Sequence, residues 1–417
     1  MKKEQWLNKN LLLLLAGRTV SDIGSSIQMV VMPLYILDIG GSAKIVGLFS
    51  FFYLLPILLI YPFGGVFGDR FNRKKIMLYA DLFSGIAILI LAYLSKTNQL
   101  NIFLLLIIQI IVSTLFGFFD PASKGILPQI VKNDYLKKAN ASIASLRLIA
   151  AILAPIIGVW IYIKFNITIL FIFNGISFLL SALSETFINY KHINRTKNIK
   201  NSSIIKDLII GFKFIKNHKT ILNLCLYFMM IFTLVNPVFT VVLPFFFRKS
   251  LNYPDTYYGF MQASLFVGAL VGSITVGFLI KEKNSKIPLI YGISLLTFAL
   301  IGFSTLLFPS VINIFGNDSL LYIFLLILTM FLMYGSLMSI NIPLQTIIQQ
   351  TTPEEYLSRV FSLVSMIAKG GGPLGALIYG LVIEKASIHI SVMIATIIIV
   401  IISSQFIKSL LKNKETS

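Results

Sequence analysis

Residues 65–75 read Gly65-Val-Phe-Gly68-Asp69-Arg70-Phe-Asn72-Arg73-Lys74-Lys75. Residues 51–63 before this stretch are almost wholly apolar, and residues 76–94 after it are apolar at most positions. A membrane-spanning helix needs about 20 mostly apolar residues and satisfies its backbone hydrogen bonds internally. Residues 65–75 are therefore predicted to form a short loop that joins two neighbouring spans at one water interface.

The composition also indicates an integral membrane protein. Hydrophobic residues make up 57% of the 417 residues and charged residues 12%, whereas a soluble domain carries about 25% charge. The single cysteine, Cys225, excludes a disulfide framework. The N-terminal lysines and leucines imitate a secretory signal, but the segment lacks a small-residue cleavage site and continues through Arg18 and Asp22. It is predicted to be an uncleaved first span.

The apolar segments predict an all-α membrane protein with twelve transmembrane helices in two pseudo-symmetric six-helix bundles. The predicted spans are 11–37, 43–67, 76–94, 101–127, 139–163, 167–190, 219–247, 256–280, 287–308, 319–349, 356–382 and 388–411. Residues 1–190 are predicted to form the N-terminal bundle and residues 219–417 the C-terminal bundle. Residues 191–218 are predicted to be a cytoplasmic linker. Within it, regularly spaced lysines indicate either a helix on the membrane surface or a plain solvated linker.

The net charge of +19 is distributed unevenly among the predicted loops. Lys and Arg concentrate in every second loop, at the N-terminus and in the tail after residue 407. This asymmetry is typical of the positive-inside rule, which places both termini in the cytoplasm. The charge therefore predicts the orientation in a cell membrane, with a bacterial plasma membrane expected, and nucleic-acid binding is not expected.

The two halves of the sequence resemble each other at equivalent points. Residues 129–136 and 350–357 both begin with glutamine and end with Tyr-Leu, and Pro121 aligns with Pro343 at nearly the same shift. Parallel repeats of this kind are typical of transporters built from two similar bundles.

Residues 65–75 resemble the loop between the second and third helices of major facilitator transporters, whose pattern reads Gly-x-x-x-Asp-Arg-x-Gly-Arg-Lys. Asn72 stands at the second glycine of that pattern, and asparagine is a common substitute where φ is positive. Three further segments resemble the branch that contains macrolide-efflux proteins and the enterobactin exporter. These are Arg18-Thr-Val-Ser-Asp22-Ile-Gly24, Asp120-Pro121 and Asn341-Ile-Pro343-Leu-Gln345.

The resemblance implies a secondary active transporter that exports an amphipathic small molecule by alternating access, with proton antiport. A drug, a macrolide-like antibiotic and a siderophore-like metabolite are the substrate classes that it implies. An importer or a lysophospholipid flippase of the same fold is the alternative among transporters. A membrane receptor or scaffold that transports nothing is the alternative of another class.

The same resemblance implies a conformational gate that contains Gly65, Asp69, Arg70 and Arg73. Asp69 would accept hydrogen bonds from the open N–H groups at the start of span 11, where the helix dipole is positive. Arg73 would reach an acid on span 4, and Asp120 lies at about the right depth. The alternative is that the cations of this loop only orient the protein.

Several charged residues lie inside predicted spans, where each costs about 2.5–3.5 kcal/mol and normally faces a cavity or a partner. Arg18 and Asp22 are one helical turn apart and are predicted to face the same way. Asp22 is the candidate proton carrier, and a static ion pair is the alternative. Lys369 in span 11 is a candidate for contact with an anionic substrate, with an acid or with water. Three others are expected to reach the cytoplasmic interface, with substrate binding as the alternative: Asp81, Arg147 and Glu185.

Prolines mark candidate breaks in the cavity-lining helices. Asn236-Pro237 in span 7 and Asn341-Ile-Pro343 in span 10 are predicted to break their helices and to act as hinges or binding elements. Pro155 lies in Ala154-Pro155-Ile-Ile-Gly158, which resembles the Gly-Pro-x-x-Gly-Gly element of drug antiporters without two of its glycines. This resemblance favours export.

The sequence contains no Gly-x-x-x-x-Gly-Lys-Ser/Thr loop, so ATP drive from this chain is not expected. The three histidines are scattered near predicted membrane surfaces, and neither a metal site nor a cofactor is expected. No nucleophile–base arrangement is readable, so an enzyme is not expected. The expected partners are an amphipathic substrate, protons and membrane lipid, with the protein as a monomer.

Overall fold

The computed structural model describes residues 8–132, 135–190, 212–251, 253–279, 286–316, 319–352 and 354–412. The described residues are almost entirely helical, and no strand occurs among them. Twelve of the helices in this part of the chain are long and apolar enough to cross a membrane. The predicted fold class and the predicted number of spans are confirmed.

The first half of the chain contains six long helices. They are α1 (Lys9–Asp38), α2 (Ala43–Arg70), α3 (Arg73–Lys96), α4 (Ile102–Ile130), α5 (Leu136–Lys164) and α6 (Ile167–Thr186). Asparagine begins four of these helices, because its side chain accepts the backbone N–H three residues later and so satisfies one of the open donors at the helix start. These N-caps are Asn8, Asn72, Asn101 and Asn166.

The conformation of Asn72 differs from the expected one. Its φ is −65°, and its side-chain oxygen accepts the N–H of Lys75 at 3.2 Å. The expectation of a positive φ at this position is therefore wrong. Asn72 is suited to this position because it caps α3, which glycine cannot do with a side chain.

The second half contains six further long helices, of which the first is interrupted. Helix α7 (residues 219–251) comprises an α-helix at Lys219–Leu234, π-helical turns at Val238–Val242 and Phe246–Leu251, and α-helical residues Leu243–Phe245 between them. The others are α8 (Asp255–Leu279), α9 (Lys286–Leu306), α10 (Leu320–Thr351), α11 (Glu354–Lys385) and α12 (Ile388–Lys412). A short helix, Pro309–Phe315, lies between α9 and α10.

The chain forms two compact units. The first consists of Met1–Gly41 and Phe51–Asn201, and the second of Ser42–Ser50 and Ser202–Ser417. In the first unit α1 packs on α5, and α3 packs on α4 and α6. In the second unit α7 packs on α11, and α9 packs on α10 and α12. The same helix pairs therefore recur after a shift of six helices, as expected for repeated bundles.

The predicted linker falls largely on residues outside the described part of the chain. Residues 212–217 at its end are helical. The prediction of a surface helix stays a prediction.

Glycine allows two helices of the second unit to meet at backbone distance. A Cβ atom added at Gly272 on α8 would lie 2.2 Å from the carbonyl oxygen of Gly335 on α10. In membranes, helices associate through such close approach of small residues. A Cβ at Gly302 on α9 would instead meet Thr329 Cγ2 at an ordinary 3.4 Å.

We expect Gly272→Ala to lower the free energy of unfolding by about 1–3 kcal/mol, since α8 and α10 must move apart to admit the methyl group. Gly302→Ala is the matched control and should be neutral or slightly stabilising, because alanine is the better helix former. Thermal unfolding of the purified protein in detergent would compare the two. Equal melting temperatures would show that the close contact of α8 with α10 does not contribute to stability.

Candidate functional site

The first unit contains a network of ion pairs in which Arg18 of α1 contacts α4. Arg18 Nη2 lies 2.5 Å from Asp120 Oδ1, and its Nη1 donates to the hydroxyl of Ser123. Asp120 and Ser123 are three residues apart, so they lie on the same face of α4. The arginine side chain is 4% exposed and that of Asp120 is 6% exposed. This contact is thus a charge-assisted pair inside the helix bundle.

Asp120 is the centre of the network, because both of its carboxylate oxygens have several partners. Oδ1 accepts from Arg18 and, at 3.3 Å, from Arg147 Nη2 on α5. Oδ2 accepts from the Tyr61 hydroxyl of α2 at 2.9 Å and lies 2.7 Å from Lys124 Nζ. Side chains from α1, α2, α4 and α5 therefore meet at one carboxylate.

Asp22 is the second acid of the network and is bound less tightly. Its Oδ2 lies 3.1 Å from Arg147 Nε and 3.6 Å from Arg18 Nε. The side chain of Asp22 is 16% exposed, against 6% for Asp120. The pair of Arg18 with Asp22 exists, as the one-turn spacing predicts, but the hydrogen bonds of Arg18 are made to α4 instead. Asp22 is therefore the more exposed and more loosely paired acid of this network.

The predicted contact between Arg73 and Asp120 is wrong. Arg73 Nη1 donates to the carbonyl oxygen of Gly125 at 2.8 Å. Gly125 lies five residues after Asp120, which is about 7.5 Å along a helix. A Cβ atom at Gly125 would lie 2.7 Å from Arg73 Nε, so the glycine makes room for the guanidinium. Arg73 does reach α4, but it binds the backbone there.

The remaining gate residues are only partly described. Gly65 and Asp69 lie in α2, and Arg70 is its exposed last residue. The side chain of Asp69 and those of the first turn of α11 fall outside the described residues, so the predicted contact between them stays a prediction.

Asp81 and Glu185 are buried, contrary to the expectation that they reach the interface, whereas the side chain of Arg147 is 38% exposed. Asp81 on α3 is 3% exposed and Glu185 on α6 is 2% exposed, and both are covered by neighbouring helices. Arg147 binds the two acids of the network. The expectation fails because α3 and α6 pack along their small and polar faces. Buried small or polar residues recur at helical spacing on α6: Ser177, Ser181 and Glu185. That spacing is the signal in the sequence that indicates a buried face.

The predicted helix breaks have different outcomes. At Asn236-Pro237 the helix α7 changes from α-helical to π-helical, and Asn236 Oδ1 is buried without a hydrogen-bond partner among the described groups. The predicted break at Pro343 is wrong, since α10 continues through it to Thr351. Asn341 Oδ1 accepts from Gln345 Nε2 at 3.0 Å within that helix. Proline removes one backbone hydrogen bond, and a membrane helix tolerates this loss.

The candidate break at Pro155 is wrong, since the helix α5 is continuous through it, and its place in a cavity wall stays a prediction. The role of Lys369 in contacting substrate also stays a prediction. Lys369 is exposed in α11. Among the described residues, no group of three or more His, Cys, Asp and Glu side chains is arranged to hold a metal ion.

Residues 14–376 match the sequence profile of the Major Facilitator Superfamily. The chain belongs to this superfamily. It is therefore a membrane transporter and not an enzyme. Among solved structures of the superfamily fold, the nucleoside transporter NupG superposes with a TM-score of 0.77 at 14% identity, over 96% of this chain and 99% of that chain.

Two bacterial efflux proteins of the superfamily are similar in sequence over almost the whole chain. Macrolide efflux protein A of Streptococcus pyogenes is 24% identical over 90% of this chain and 89% of its own length. The multidrug efflux pump Tap of Mycolicibacterium fortuitum is 22% identical over 91% of this chain and 90% of its own length. Both agree with the predicted efflux branch and with a multi-pass protein of a bacterial membrane.

Proposed function

We propose that this superfamily member exports an amphipathic small molecule by alternating access, in exchange for protons. The similarity to Macrolide efflux protein A and to Tap supports export and supports a drug or macrolide-like substrate, with a siderophore-like metabolite as a further class. The proposal of proton exchange rests on one observation: the carboxylate of Asp22 is partly exposed and lies inside a membrane span. The protein would work as a monomer, with both termini in the cytoplasm.

Arg147 contacts both Asp22 and Asp120, so the network would have one arrangement with Asp22 ionised and another with Asp22 protonated. Arg147 Nε lies 3.1 Å from Asp22, and its Nη2 lies 3.3 Å from Asp120. Protonation of Asp22 would remove one of these charge pairs and leave Arg147 to Asp120 alone. Because Arg147 lies on α5 and Asp22 on α1, the protonation state of Asp22 would change how these two helices attract each other. Such a difference between two states is what coupling requires.

We expect Asp22→Asn to abolish transport driven by a pH gradient, because an amide, unlike a carboxylate, does not bind and release a proton. Purified protein in liposomes, with a macrolide as the probe and an imposed pH gradient, would measure this. The matched control is Asp38→Asn at the last residue of α1, where the exposed carboxylate accepts from the Tyr162 hydroxyl at 2.5 Å. The control should transport normally. Unchanged gradient-driven transport in Asp22→Asn would refute the proton role of Asp22.

The direction and the substrate class need a test in cells. Expression should lower accumulation of the exported compound and raise resistance, measured on a panel of macrolides, lipophilic cations and peptide antibiotics. An increase of accumulation on expression would instead identify an importer. The absence of any effect, together with the absence of transport in liposomes, would favour a receptor or scaffold.

A further inference from the structure

A second cluster of buried polar atoms lies beside the Asp120 network, between α3 and α6. It includes Asp81 Oδ2, Ser181 Oγ and Glu185 Oε2, and none of these atoms has a hydrogen-bond partner of ordinary geometry among the described groups. Arg18 Nε has an ion pair with Asp22 but also lacks a hydrogen bond. Leaving such buried atoms without a hydrogen bond destabilises a protein. In the described part of the chain, the cluster therefore lacks hydrogen-bond donors for these carboxylate oxygens.

The two carboxyl groups of the cluster act on each other. Asp81 and Glu185 lie within electrostatic range of one another, and both lie within range of Arg18. The Ser181 hydroxyl lies beside Asp81, and Asp22 is the remaining acid that acts on Asp81. Two neighbouring carboxylates in a buried site resist ionising together, because the repulsion between them is barely screened there.

The charges of the whole buried region lead to the same conclusion. Arg18 is the buried cation here, and it already contacts Asp120. Lys124 and Arg147 also contact Asp120, but their side chains are 58% and 38% exposed. If Asp81 and Glu185 were both ionised, their charges would lack a buried cation of their own. An uncompensated buried charge is strongly destabilising, and binding of a proton reduces it.

We propose that Asp81 and Glu185 form a buried carboxyl pair that binds one proton between them. A protonated carboxyl supplies the O–H donor that this cluster lacks, and it can donate to the other carboxylate or to Ser181. Release of the proton would place a further negative charge beside Arg18, in competition with Asp120. The pair is a proton-binding site separate from Asp22, and it holds its proton whether or not the protein exports a drug.

Infrared spectroscopy of the full-length protein in lipid tests the pair directly, since the C=O stretch reports a protonated carboxyl group. At neutral pH we expect a protonated-carboxyl band that shifts in D2O. The band should fall to background in Asp81→Asn and in Glu185→Gln, because the remaining carboxyl group of the pair then has no second carboxylate beside it and ionises within range of Arg18. The matched control is Glu384→Gln, at an exposed position near the end of α11, and it should keep the band.

Two results would overturn the proposal: no such band in the unaltered protein, or a band that persists in both amide variants. If the amide variants fail to fold, Asp81→Glu and Glu185→Asp keep both carboxyl groups and serve instead. One of these should move the band in frequency, and a band at an unchanged position in both would place the proton elsewhere. Because the band is read without transport, its absence refutes the pair alone, whereas a transport defect in Asp22→Asn concerns the export proposal.

Discussion

Replacement of Arg18 with methionine is expected to lower the free energy of unfolding by about 3–5 kcal/mol, whereas Lys124→Met should cost less than about 1 kcal/mol. Both cations contact the same carboxylate, at 2.5 Å from Oδ1 of Asp120 for Arg18 and 2.7 Å from its Oδ2 for Lys124. They differ in exposure, which is 4% for Arg18 and 58% for Lys124. Removal of the buried cation leaves Asp120 poorly compensated where water cannot screen it.

Unfolding of the purified protein in mixed micelles of increasing SDS content would measure both variants. The double variant Arg18→Met with Asp120→Asn should recover part of the lost stability, because it also removes the charge left without its buried partner. Equal costs for Arg18→Met and Lys124→Met would contradict the structure's distinction between a buried and an exposed partner of Asp120.

The number and position of the spans follow from the sequence because the membrane itself selects them. Only a long apolar helix satisfies its backbone in the bilayer, so hydropathy alone separates twelve spans. Helix starts are also local, since each of Asn8, Asn72, Asn101 and Asn166 caps a helix within three residues. Such features do not depend on distant parts of the chain.

The partners of the charged residues do not follow from the sequence in the same way. The one-turn spacing of Arg18 and Asp22 correctly indicates a pair, but the closest charged partner of Arg18 is Asp120, which is 102 residues away. For Arg73 the sequence suggests an acid on α4 as the partner. The side chain instead binds a backbone carbonyl of α4, and no sequence pattern marks a carbonyl as a partner. A long side chain can reach several helices, and packing decides between them.

The burial of Asp81 and Glu185 shows a related difficulty. Snorkelling is the cheaper explanation for a charge near the end of a span when that helix is considered alone. The cost changes when α3 and α6 pack together, because the polar face of each helix then becomes its buried face. Polar residues at helical spacing, rather than single charges, are the useful signal.

Helices α7 and α10 both contain an Asn and a Pro close together, but they differ in backbone structure at these sites. Helix α10 stays regular and Asn341 is hydrogen-bonded, whereas α7 becomes π-helical and Asn236 Oδ1 has no described partner. π-helical turns are rare and often occur at functional sites. Asn236 is therefore the better candidate for contact with substrate, within the proposed export.

We expect Asn236→Leu to lower drug transport about tenfold or more while stability stays the same or rises. A lost hydrogen bond of about 1.5 kcal/mol corresponds to about a tenfold weaker affinity. Stability should not fall, since leucine removes an oxygen that is buried without a hydrogen-bond partner in the described structure. Initial rates of macrolide transport in liposomes and thermal unfolding in detergent would give the two numbers.

Asn174→Leu on α6 is the matched control, because this asparagine is buried and its Nδ2 donates to Gln28 Oε1 at 2.7 Å. Its loss leaves Gln28 unsatisfied and should cost about 1–3 kcal/mol of stability. The two variants therefore have opposite expected profiles, since one loses transport and the other loses stability. If Asn236→Leu instead melts early and transports normally once folded, its side chain supports α7 and does not bind substrate.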